Sequence, residues 1–113
     1  MIPPIEQVEA VCEGLRSTFP DARIDSPHVP EDYFDHITDV AIIRSRRLCL
    51  SISEECFDYH DPTAIVEALT SLKYADLLAE HRRLFLGCAP HRARRDLPIV
   101  IRWKDWYLVA GSD

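Results

Sequence analysis

Glycine is scarce in this chain of 113 residues, which has three glycines and a single methionine. A loop that cradles phosphate needs several glycines close together, and none of that kind occurs; Gly-x-Ser-x-Gly and His-Glu-x-x-His are missing as well. The phosphate-loop, hydrolase-elbow and metalloprotease motifs are thereby excluded. Long apolar runs are absent too, so no segment reads as a membrane-spanning helix. The opening Met1-Ile2-Pro3-Pro4, followed by Glu6 and Glu9, lacks the basic start and apolar core of a secretory signal. The expectation is a cytoplasmic protein with no membrane partner.

Cysteine is present but not in a disulfide pattern. Cys12, Cys49, Cys56 and Cys88 fall within apolar or helical segments, where reduced thiols pack as small hydrophobes. The apolar fraction of 47% with 28% charge is that of an ordinary globular chain, large enough to bury a core as one domain over residues 1–113.

What the sequence does have is a strong helical signal from Asp61 to Leu86. Asp61 suits the cap, Pro62 the first helical position, and Gly87 with Pro90 the stop. Ile65, Leu69, Leu72, Leu78 and Phe85 recur at spacings of three, four or seven, which predicts one long amphipathic helix. A first helix is predicted from Pro3 or Pro4, with Ile5, Val8, Cys12, Leu15 and Phe19 as its stripe and Pro20 as its stop. Gly14 interrupts that helix and invites another element to come close.

Strands are predicted elsewhere. Ala22 to Asp25 alternates weakly, as a short edge strand would; Ser26 to Glu31, with Pro27 and Pro30, reads as a loop. Val40 to Arg44 and Arg47 to Ser53 predict a hairpin, with Leu48, Leu50 and Ile52 toward the helices and Cys49 and Ser51 on an open face. Arg44, Arg46 and Arg47 form a basic knuckle at its tip. Ser53 with Glu54 and Glu55 suits a single helical turn. Leu97 to Trp103 and Trp106 to Ala110 predict a second hairpin joined at Lys104-Asp105. The expected fold class is α+β, two helices packed on one face of a small antiparallel sheet, in the order α-β-β-β-α-β-β.

The segment Trp106-Tyr107-Leu108-Val109-Ala110, preceded by Ile101-Arg102-Trp103-Lys104-Asp105, resembles the Trp-Tyr-Leu strand for which the WYL regulatory domains are named. The resemblance covers about a tenth of the chain and is not extended to function.

Charge is uneven. Residues 1–61 carry a net −8 and residues 62–113 a net +2, giving −6 for the whole. Three constellations follow. The first is an acidic surface of Asp25, Glu31, Asp32, Asp35, Asp39, Glu54, Glu55 and Asp58, which would engage the basic site of a protein partner, as inhibitors, immunity or antitoxin proteins, phage-type antagonists and adaptors do. The second is Arg92, Arg94, Arg95, Arg102 and Lys104 with Trp103, Trp106 and Tyr107, the combination of phosphate-neutralising and base-stacking groups that single-stranded nucleic acid needs. A sequence pI of about 5.3 weighs against it. The third is Cys56 and His60 with Cys88 and His91, two pairs of possible zinc ligands, or a reactive Cys88 thiol. A continuous helix between the pairs would hold them over 35 Å apart at about 1.5 Å per residue. No cofactor is expected. The expected role is binding of a protein without catalysis, with a homodimer through a sheet edge as a further expectation.

Overall fold

The computed structural model describes residues 5–26, 37–88 and 99–110. The expected loop over residues 26–31 and the connection before the last hairpin therefore lie mostly outside the described residues.

The chain begins with α1 (Ile5–Thr18), whose buried side chains are Val8, Val11, Cys12 and Leu15. Three strands follow: β1 (Arg23–Asp25), β2 (Ile37–Ile43) and β3 (Arg47–Ser53). Next come α2 (Glu54–Tyr59), α3 (Pro62–Ser71) and α4 (Tyr74–Glu80), and then β4 (Arg83–Cys88), β5 (Ile99–Trp103) and β6 (Trp106–Ala110). The class is α+β, as expected from the sequence. The six strands form one sheet in the order β1-β2-β3-β4-β6-β5, larger than anticipated.

The long helix is where the structure departs from expectation. Its start is as predicted, with the Ala64 N–H donating to Asp61 Oδ1 at 2.8 Å and Pro62 in the first turn. The helix then stops at Leu72, and Lys73 takes the left-handed conformation at φ 57°, ψ 44°. After one more short helix the backbone turns extended at His81. Residues 83–88 become a strand because Leu84, Leu86 and Cys88 alternate with Arg83, Phe85 and Gly87. The helical spacing of Leu78 and Phe85 was a coincidence of two periodicities. Gly87 is no helix stop but a strand residue.

This strand pairs parallel to β3, with Leu50 beside Leu84 and Ile52 beside Leu86; the other pairings are antiparallel. A parallel pair needs a long connection, and α2, α3 and α4 supply it. The order of elements is thus α-β-β-β-α-α-α-β-β-β.

The buried helix residues join strand residues of one parity: Ile24, Val40, Ile42, Leu48, Leu50, Ile52, Leu84, Leu86, Cys88, Trp106 and Leu108. Leu48, Leu50 and Ile52 face the helices, and Cys49 and Ser51 lie on the other face, as the alternation predicts. Within the helical layer α1 packs on α3, and Gly14 makes the closeness possible. A Cβ at Gly14 would lie 2.7 Å from Cγ2 of Val66.

Two substitutions check this packing. Gly14→Ala should destabilise the fold although alanine raises helix propensity by about 1 kcal/mol, and adding Val66→Ala should recover the loss in urea unfolding. Leu72→Ala, at a fully buried position, should cost about 2–5 kcal/mol by the same measurement.

Candidate functional site

The sheet face opposite the helices carries side chains of the other parity. Near its centre Ser51 Oγ donates to Asp39 Oδ1 at 2.6 Å. Arg83 reaches across from β4, with Nη2 3.7 Å from the same carboxylate oxygen and 3.4 Å from Ser51 Oγ. Cys49 Sγ lies 3.9 Å from Ser51 Oγ, and burial together with the Asp39 charge pushes its thiol pKa up. The register explains the grouping: Asp39 stands opposite Ser51, Ala41 opposite Cys49, and Cys49 beside Arg83. Phe85, half-buried, continues this face beside the buried Val109, its partner across β4 and β6. Asp39 and Arg83 side chains are each about half exposed, at 47% and 49%, so the network meets solvent.

Such a cluster can hold and recognise polar groups; its hydroxyl is not poised for attack. Ser51 is buried and donates to a carboxylate, whereas the described histidines stand elsewhere, His60 against Trp106 and His81 at the end of α4.

The expected acidic surface is only partly assembled among the described residues. Asp25 and Asp39 lie on this same face, Asp25 paired with Arg23 at 2.8 Å. Glu54 and Glu55 sit in the first turn of α2, Glu54 buried and Glu55 half-buried, with Asp58 exposed in the next turn. Ser53 caps that turn, its Oγ accepting from the Glu55 N–H at 3.3 Å. Glu31, Asp32 and Asp35 lie outside the described residues.

The basic and aromatic set is divided. Trp106 is buried in the core, its ring 4.4 Å from that of His60. Tyr107 is buried on the opposite face over Gly87, where a Cβ would run into its ring. Neither presents an open face for stacking. Trp103 is half-buried with the Lys104 ammonium 4.6 Å from its ring centroid, and Arg102 is exposed opposite Tyr107. Arg92, Arg94 and Arg95 lie outside the described residues.

The cysteine and histidine set is closer than a continuous helix would allow. Because the chain turns back at Lys73 and again after Glu80, Cys56 on α2 meets the end of β4. The Cys56 thiol donates to the Leu86 carbonyl oxygen at 3.8 Å. Interaction with Cys88, together with burial, pushes the Cys56 thiol well above its ordinary range, and the same interaction holds Cys88 below it against the effects of burial and Glu55. Cys88 stands opposite Trp106, which carries His60 on its ring. Cys88 thus ends a strand and does not follow a helix C-terminus. Among the described residues no group of three or more His, Cys, Asp or Glu could hold a metal ion, and His91 lies outside them. All four cysteines are free thiols.

A feature the sequence reading noted only as a basic knuckle is a cleft at the β2–β3 turn. It holds about 570 Å³ between that turn, the residues after α1 and one side of α4. The turn arginines were visible in the sequence, but nothing there placed Ala75 and Ala79 against them.

Protein-family models, curated proteins and solved structures were all compared with this chain, and none matches.

The thiol pair gives a direct check. As pH rises, the first thiolate seen in ultraviolet absorbance should vanish in Cys88→Ala. In Cys56→Ala it should move to higher pH, because the interaction that holds Cys88 down is gone. Cys49→Ala should leave that step in place.

Proposed function

We propose that this chain acts inside the cell by binding another protein without catalysis, through the sheet face opposite its helices. The observation that carries the reading is the half-exposed pair Asp39 and Arg83, joined through the buried Ser51 hydroxyl and flanked by the half-buried Phe85 ring. A patch of this kind sets an aromatic ring beside charged groups that fix orientation, a combination protein interfaces use. Asp25 and Asp39 give its β1–β2 side acidic character, and Arg83 sets a positive counterpart within it. Charges of both signs on one face favour a partner with the complementary arrangement and discriminate against others.

Several features support this over an enzymatic reading. Asp39, the most obvious candidate base, already accepts from Ser51 and faces Arg83. The strands carrying these groups are each paired with a neighbour on both sides, which suits recognition by a rigid surface. No helix among the described residues is long and apolar enough to cross a membrane. Inhibitor, immunity or antitoxin-like protein, phage-type antagonist and adaptor are the roles this mode of action covers. The free cysteines accord with a reducing, cytoplasmic setting.

The test is affinity capture of the full chain's partner at low salt, comparing wild type with Asp39→Ala, Arg83→Ala and, as a distant control, Glu67→Ala on the exposed side of α3. The expected result is one protein retained by wild type and the control, lost from both patch variants, and released as salt shortens the screening length to about 8–10 Å. Capture of nothing, or equal capture by the patch variants with their folds intact, overturns the proposal.

A further inference from the structure

The cleft at the β2–β3 turn stands apart from the Asp39 patch, four residues further along β2. Its apolar lining comes from Phe19 just after α1, Ile43, Leu48, and Ala75 and Ala79 of α4. The two alanines leave room that longer side chains would fill. Phe19 is fixed by an edge-on contact with the buried Tyr74 ring, at 5.9 Å between centroids and 75° between planes. The floor is therefore formed by packed side chains.

Three arginines and one aspartate, Asp21, stand around this floor. Arg23 is occupied by Asp25 at 2.8 Å, which leaves Arg44 and Arg46 as the positive groups of the rim. Each is oriented by a contact that does not neutralise it. The Arg44 guanidinium lies 5.9 Å from the centroid of Phe19, a cation–π arrangement. Arg46 Nη2 donates to the Ala79 carbonyl oxygen at 2.8 Å, satisfying one of the acceptors left open at the end of α4. A guanidinium has several donors in a planar fork, so both arginines retain N–H groups suited to a carboxylate.

We propose that this cleft binds a small organic anion with a flat apolar body, an aromatic carboxylate by chemical class. Arg44 and Arg46 take the carboxylate, and Phe19, Leu48 and Ala75 take the ring. The volume of about 570 Å³ falls within the range of about 300–1,000 Å³ usual for small-molecule sites. The local charge is opposite to the chain's net −6, so the rim would draw an anion toward one place on an otherwise acidic molecule. This binding is independent of the protein-binding face and stands or falls separately.

The probe is 2-naphthoate, titrated into the full isotope-labelled chain and followed by amide chemical shifts, with neutral 2-naphthamide as its comparison. Saturable one-to-one shifts centred on Phe19, Arg44, Arg46, Ala75 and Ala79 are expected, with the amide at least tenfold weaker. Arg44→Gln with Arg46→Gln should weaken naphthoate at least tenfold. Ala79→Leu, which keeps both arginines and fills the cleft from an exposed helix position, should weaken both compounds. Failure to saturate, shifts centred elsewhere, or equal binding of naphthoate and naphthamide overturns the proposal. If a variant's spectrum shows loss of fold, the wild-type comparison of the two compounds still decides it.

Discussion

The parallel pairing of β3 with β4 is the constraint on which the rest of the molecule depends. Leu50 beside Leu84 and Ile52 beside Leu86 form the middle of the core. Because parallel neighbours cannot be joined by a tight turn, the chain between them must leave the sheet, travel back and re-enter at the same end. It does so as three helices, whose apolar residues join those of α1 over one face. The opposite face is left to carry the polar network, and the return of β4 brings Arg83 to Asp39 and Cys88 to Cys56.

That same return explains what the sequence could and could not say. Local chemistry was legible: the Asp61 cap, the Pro62 start, the Ser53 turn, the hairpin from Val40 to Ser53 and the alternation that put Leu48, Leu50 and Ile52 inward all rest on neighbours in the chain. The break at Lys73 was not, because a lysine in the left-handed region has no glycine or asparagine signature. The strand from Arg83 was hidden for a different reason. A short apolar run can satisfy either a helical or an alternating pattern, and only the presence of β3 as a partner decides between them.

The candidate sites were legible to different degrees for the same reason. Asp25 and Asp39 could be named as acidic groups, but their shared face depends on the β1–β2 and β2–β3 registers. Arg83, the group that meets Asp39, carries no local sign of the strand pairing that brings it there. Cys56 and Cys88 meet through the turns at Lys73 and after Glu80, which the helical spacing of the segment between them does not reveal. Trp106 and Tyr107 looked like a stacking surface because an aromatic strand gives no sign of which neighbour will cover it; His60 covers one and the gap at Gly87 receives the other.

Gly87 has a consequence for how the last two strands find their place. The ring of Tyr107 occupies the position where any other residue of β4 would hold a side chain. If β6 slid along β4 by two residues, the alternation of inward and outward groups would survive, yet the ring would meet Phe85 instead of an empty site. Hydrophobic pattern alone would accept that slip; the shape of the surface does not. Since among the described residues β5 pairs only with β6, the address written by one absent side chain is passed on to the outermost strand, and the edge of the sheet inherits its alignment from a vacancy two strands away.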